Sequence, residues 1–169
     1  GLKEALTEFP EFFLILAPHE PTEEHLKNAE NYFDGIPIAR WSKVSEAADD
    51  VRILLIDSVG ILAGLYRCAK MAYVGGAFTT GVHNILGPVA MGATVAFGPK
   101  HDNSSEALQM LEQKLVSSVN HSAEFRNLLF ELLADQERCL ELGRQSRAFV
   151  ESQAGAADRC VPLLMADLS

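Results

Sequence analysis

Short apolar runs alternate along this chain with stretches of helical spacing. Runs at 11–17 (core Phe12-Phe13-Leu14-Ile15-Leu16), 36–41, 53–56, 71–74 and 94–97 predict strands, with a weaker one over 115–119. Helical patterns cover 2–9, 22–32, 60–68, 85–91 and 104–111. From Ala123 the chain reads as helix to near its end, with breaks at Ala134-Asp135 and Gly155. Thr22 stands as an N-cap, followed by Glu23 and Glu24 where the helix dipole favours anions. Most of the strands lack polar alternation, which marks burial on both faces. Strands and helices alternating in this way predict an α/β fold, a parallel sheet covered by helices on both faces, with right-handed crossovers. No internal repeat or linker interrupts it, so residues 1–169 are expected to form a single domain with a helical C-terminal tail.

The net charge of −9 argues against nucleic acid as a partner, because such binding needs lysine and arginine to replace phosphate counterions. It does not exclude a small anion, which a helix N-terminus can hold without a basic side chain. Cys68, Cys139 and Cys160 are odd in number, far apart and without metal spacing, as expected of reduced cytosolic thiols. Residues 71–99 contain no Asp, Glu, Lys or Arg and are long enough to span a bilayer. Glycines, two prolines and a polar centre at Thr79, Thr80, His83 and Asn84 break that run, so buried strands and Gly-rich turns are expected and no transmembrane segment.

In an open parallel sheet, ligands bind beyond the carboxyl ends of the strands. Those positions carry Ala17-Pro18-His19-Glu20, Asp57-Ser58-Val59-Gly60, Gly75-Gly76-Ala77-Phe78, Gly81-Val82-His83-Asn84 and Gly98-Pro99-Lys100-His101. Paired glycines after a buried strand let backbone approach a ligand closely. The loop they open delivers His83 and Asn84 to a short helix, whose free N–H groups would favour a phosphate. The segment is neither a G-x-G-x-x-G fingerprint nor a P-loop. Asp57 either reads a ligand or caps the helix starting near Gly60, and the two roles can coexist. His19 reads equally as a ligand contact or a surface residue. His25 belongs to a solvated helix, and His101 and His121 sit in loops without an evident partner. Scattered histidines make no metal site, and no nucleophile–base pair stands out.

The order of residues over 51–99 resembles the C-terminal domain of the 3-deoxy-D-manno-octulosonic acid (Kdo) transferases. The matching pieces are Leu54-Leu55-Ile56-Asp57-Ser58-Val59-Gly60, Leu65-Tyr66, Ala72-Tyr73-Val74-Gly75-Gly76-Ala77-Phe78, Gly81-Val82-His83-Asn84-Ile85-Leu86-Gly87-Pro88 and Val95-Ala96-Phe97-Gly98-Pro99. Ala17-Pro18-His19-Glu20 resembles an earlier loop of that family, and Gly155-Ala156-Ala157-Asp158-Arg159 its tail. The loops look closest to those of the Bacteroidetes.

The resemblance implies a Rossmann-like domain, the C-terminal half of a GT-B glycosyltransferase, independent of metal and cofactor. Such enzymes transfer Kdo from CMP-Kdo to lipid A precursor, in lipopolysaccharide synthesis at the cytoplasmic face of the inner membrane. It implies that Pro18, His19, Asp57, Ser58, Val59, Gly60, Gly75, Gly76, Ala77, Phe78, His83, Asn84, Ile85, Leu86 and Gly87 line the nucleotide. Backbone at 57–60 would read the cytosine, and the helix start near Asn84 would take the phosphate. The family's acceptor site and catalytic carboxylate lie in its N-terminal domain, so no catalytic residue is assigned here and the isolated chain is expected to be inactive. Two positions depart from the pattern: Gly87 stands where the family has a ribose-binding glutamate, and His19 where it often has arginine. The likeness also begins after one further expected strand, and an open sheet edge of that kind could promote self-association. A different GT-B enzyme using a UDP- or GDP-sugar, or a degenerate nucleotide-binding module, fits the same residues.

Overall fold

The computed structural model describes residues 1–153. Gly155, Cys160 and the Gly155-Ala156-Ala157-Asp158-Arg159 stretch lie outside the described residues. In chain order the elements are α1 (Leu2–Glu8), β1 (Leu14–Leu16), α2 (Glu23–Tyr32), β2 (Ile38–Arg40), a 3-10 helix Trp41–Glu46, and β3 (Ile53–Leu55). Then come α3 (Leu62–Leu65), a 3-10 turn Tyr66–Cys68, β4 (Met71–Val74), α4 (Leu86–Ala90), β5 (Thr94–Phe97), α5 (Ser105–Glu112), β6 (Ser117–Ser118), α6 (Ser122–Ala134) and α7 (Gln136–Gln153). All strand pairs are parallel, with helices on both sides, as the apolar runs predict. The strands form two three-stranded sheets, and the chain divides into two compact units: Gly1–Leu65 with Asn120–Gln136, and Tyr66–Val119 with the residues from Glu137 on.

The first unit holds the sheet β1-β3-β2. Central β3 pairs Ile53 with both Leu14 and Ile38, and all three of its residues are buried. Leu6, Phe33 and Ile53 form the core, with Leu2, Phe12, Leu14, Leu16, Ile36 and Ile38 packed on it. The first strand is shorter than the expected 11–17 because its leading residues serve the end of α1. Arg52 donates to the carbonyls of Leu6, Phe9 and Phe12, at 2.9 Å each, so a cation satisfies carbonyls that a helix end leaves open. Arg40 ties β2 to α2 by paired bonds to Glu23 and Glu30, at 2.7–3.0 Å. Helix α6 packs on α1 through the edge-to-face pair Phe9–Phe130, with ring centroids 5.4 Å apart, and the ion pair Arg126–Glu4. The helix expected over 60–68 is instead the single turn α3 followed by a 3-10 turn, with Gly64, a poor helix former, inside it.

The second unit holds the sheet β4-β5-β6, in which β5 is buried along its whole length. Val95 and Phe97 belong to a core with Val74, Ile85, Val89, Ala107 and Met110. Helix α5 begins one residue after the start of the helical pattern at 104, because Ser104 is its N-cap and its Oγ accepts from the Ala107 N–H. Helix α7 docks through polar anchors. Ser146 Oγ, fully buried, donates to the Leu115 carbonyl at 2.6 Å, and buried Thr94 Oγ1 donates to the Cys139 carbonyl at 2.5 Å. Between these anchors, helix backbone meets loop backbone directly: a Cβ on Gly143 would lie 2.0 Å from the Gly92 carbonyl oxygen.

Intrinsic propensity and packing give opposite signs at that contact. Alanine at an interior helical glycine stabilises by about 1 kcal/mol, whereas overpacking against backbone costs about 1–3 kcal/mol. Gly143→Ala is therefore expected to lower the urea midpoint despite improving the helix. A raised midpoint would show that α7 can slide away from Gly92.

Candidate functional site

In the first unit, three loops leave the carboxyl ends of β1, β3 and β2. Pro18, half-buried, and His19, exposed, follow β1. Asp57 follows β3 and Ser42 follows β2. The Asp57 carboxylate is bonded to Ser42 rather than to the start of the helix after Gly60. Its two oxygens accept from the Ser42 N–H at 3.0 Å and the Ser42 hydroxyl at 2.5 Å. It thus holds the start of the 3-10 helix Trp41–Glu46 against the end of β3. The hydroxyl of Ser42 keeps the Asp57 carboxyl below the usual aspartate range, against a smaller opposing effect of burial.

Beside Asp57, the Ser58 Oγ is buried with no hydrogen-bond partner among the described residues. An unsatisfied hydroxyl of this kind costs about 1–3 kcal/mol, and such groups call for a bound water or ligand as explanation. Val59 is 80% exposed at the tip of the turn, and Gly60 turns the chain with φ of 88°. The turn therefore offers an apolar side chain and backbone groups to solvent.

In the second unit the loop after β4 is folded on itself. The Gly76 carbonyl accepts from the N–H groups of Thr79, Thr80 and Gly81, at 2.9–3.2 Å. Gly76 has φ of 87°, and a Cβ there would lie 2.4 Å from the Gly81 carbonyl oxygen and 2.5 Å from the His83 ring. Only glycine fits. The His83 N–H donates to the Gly75 carbonyl at 3.2 Å. Phe78 is half-exposed and His83 and Asn84 are exposed, whereas Ala77 and Ile85 are 1% exposed and belong to the core. Asn84 Oδ1 accepts from the Leu86 N–H at 2.9 Å, so one of the N–H groups expected to be open at the start of α4 is already satisfied. Helix α4 is a single turn of five residues and contributes little dipole. A Cβ on Gly87 would lie 3.3 Å from the ring of Tyr66.

The sequence-predicted residues of each unit do gather at strand carboxyl ends. The supporting residues were missed. Ser42 lies in a 3-10 helix with no apolar period to announce it. In the sequence Lys100 stands out only as a residue after β5, and Asn103 carries no signal of its own. The remaining histidines have structural partners: His25 Nδ1 lies 2.7 Å from the Glu20 carbonyl, His101 Nδ1 lies 3.2 Å from that of Gly98, and His121 Nδ1 accepts from the Glu124 N–H. No helix among the described residues is long and apolar enough to cross a membrane.

The Ser42–Asp57 bond carries a pH dependence. Because the folded-state pKa of Asp57 is depressed, its stabilising effect is complete above the ordinary aspartate range and is lost as pH falls through the lower folded value. Ser42→Ala is expected to raise that pKa toward the ordinary value. A carboxyl-detected NMR titration reads it directly, and an unchanged Asp57 midpoint would remove Ser42 as the cause.

No protein-family model matches the chain. Over 134 residues, 78% of this chain, it is 32% identical to the 3-deoxy-D-manno-octulosonic acid transferase of Chlamydia muridarum. Over 162 residues, 94% of this chain, it is 28% identical to the transferase of the same name from Haemophilus influenzae. It spans only 29% and 38% of the length of these two relatives. Among solved structures it is similar to the C-terminal CMP-Kdo binding domain of WaaA from Acinetobacter baumannii, with a TM-score of 0.76 at 20% identity, covering 88% of this chain and 79% of that one. That likeness carries the fold, the sequence matches carry the kinship, and the two agree: the chain is a homologue of the Kdo transferases, spanning no more than 38% of the length of these two relatives and folded like the C-terminal CMP-Kdo binding domain of WaaA.

Proposed function

We propose that this chain is the donor-nucleotide half of a Kdo transferase and binds CMP-Kdo. The observation that carries this reading is the coincidence of two independent likenesses: kinship to the transferases along most of the chain, and the fold of a domain named for binding CMP-Kdo. In the first unit, the nucleotide contacts would come from Pro18, His19 and the 57–60 turn, whose backbone suits the edge of a base. In the second, they would come from Gly75 to Phe78 and from His83 to Gly87. A complete enzyme of this kind would pass Kdo to lipid A precursor at the cytoplasmic face of the inner membrane. The present residues supply binding, and no acid or base for the transfer is assigned among them. The isolated chain is therefore expected to transfer no Kdo.

Amide NMR shifts on titration with CMP, UMP and GMP test the reading. CMP is expected to shift resonances at 57–60 and 83–86 more strongly than UMP or GMP. A preference for UMP or GMP would favour a transferase using a UDP- or GDP-sugar, and silence with all three would overturn nucleotide binding.

Gly87 and His19, which depart from the family pattern, favour a second reading, a decayed module. Gly87→Glu separates the two. A carboxylate bonding a ribose hydroxyl is worth about 1.5–3 kcal/mol, or roughly ten- to a hundredfold in affinity. Tyr66 must yield by a few tenths of an ångström to admit the new side chain, since the ring is 3.3 Å from its Cβ position. Tighter CMP binding by the variant is expected of an intact site, and unchanged binding of a decayed one.

A further inference from the structure

We propose that Asn103 is a positioning residue of the nucleotide site, a clamp that fixes the loop after β4 without touching the ligand. The proposal rests on the reading that this chain binds a cytidine nucleotide. Its basis is the way the loop after β5 grips the loop after β4. The Lys100 N–H donates to the Ala77 carbonyl at 2.8 Å, and the Val82 N–H donates to the Lys100 carbonyl at 2.9 Å. Lys100 Nζ donates to the Thr79 carbonyl at 3.1 Å. Asn103 completes the grip. Its Oδ1 accepts from the Val82 N–H at 3.1 Å, and its Nδ2 donates to the Val82 carbonyl at 2.9 Å.

One planar carboxamide thus engages both backbone groups of a single residue, its oxygen sharing the Val82 N–H with the Lys100 carbonyl. Among side chains of this length only asparagine offers a donor and an acceptor together. Aspartate keeps the acceptor alone, and alanine has neither. The preceding residue is shaped to admit it: Gly81 has φ of 120°, and a Cβ there would lie 2.6 Å from Asn103 Oδ1. Val82 is buried and immediately precedes His83 and Asn84, the exposed pair of the loop. Whatever fixes Val82 fixes the direction in which those two residues leave the core. The exposed ends of the loop carry the expected ligand contacts, while its register is set from behind by a residue outside the family-like stretch at 51–99.

Asn103→Ala is expected to accelerate hydrogen exchange at the Val82 N–H and to weaken CMP binding about tenfold. At saturating CMP the shifts at 57–60 should persist, while those at 76–86 change in pattern, a signature that general destabilisation would not give. Asn103→Asp, which keeps the Val82 N–H acceptor, should protect that amide better than alanine does. Asn120→Ala, which removes an exposed carboxamide elsewhere, should leave CMP affinity unchanged. Unaltered CMP affinity in Asn103→Ala, or a loss that affects 57–60 and 76–86 alike, would overturn the clamp while leaving nucleotide binding intact. If the unsubstituted chain bound no nucleotide at all, the functional reading would fail first and the ligand role of Asn103 with it.

Discussion

Ile53 and Leu55 in β3, and Val95, Ala96 and Phe97 in β5, expose none of their surface. A strand closed on both faces has no side on which to place a polar side chain, so chemistry is forced to its ends. In the first unit that constraint produces the succession from Leu55 and Ile56 to Asp57 and Ser58. In the second it produces the succession from Phe97 to Gly98, Lys100 and Asn103. Thr94, the polar residue of β5, lies at the opposite end and meets its requirement by donating to the Cys139 carbonyl. The sheet thus sorts the sequence into an apolar interior and polar rims before any ligand is considered.

Two demanding junctions of the second unit are solved by removing side chains. At Gly143 a helix backbone rests on the Gly92 carbonyl, and at Gly76 a loop folds back onto Gly81 and His83. Contacts this close bring polar backbone groups into regions that water reaches poorly, where each must find a partner. The structure supplies them locally. Ser146 serves the Leu115 carbonyl beside α7, and three N–H groups converge on the Gly76 carbonyl inside the loop. The same logic operates at the end of α1, where Arg52 gathers three carbonyls.

What could be read from the sequence follows from which interactions are local. Helices α2 and α5 are set by neighbouring residues and are legible, α2 together with its Thr22 cap. So is β5, whose continuous apolar run has one interpretation. The residues before Leu14 misled because their carbonyls answer to Arg52, some forty positions away. Asp57 misled for the same reason: its partner Ser42 is distant in sequence, and a carboxylate before a turn looks like a cap. The candidate loop after β4 stands out because a glycine pair after a buried strand has few uses. Asn103 escaped because asparagine just before an N-cap serine is ordinary helix-start chemistry, and nothing in that spacing points back to Val82.

The loop after β4 also answers an electrostatic question. The chain carries a net charge of −9, yet residues 71–101 contain no Asp or Glu. An anionic ligand approaching this stretch meets no carboxylate contributed by it, and Lys100 is already held against the Thr79 carbonyl. The stretch would therefore favour an anion by withholding repulsion rather than by supplying cations, which would suit reversible binding of the nucleotide proposed as its ligand. Such a site cannot depend on strong ion pairs to order it on arrival. Fixing one residue's backbone costs about 1–2 kcal/mol, and a loop left free would subtract that cost, residue by residue, from the affinity. The hydrogen bonds to Gly76, Ala77, Thr79 and Val82 bear it during folding instead, so weak electrostatics and a tightly tied loop are two sides of one solution.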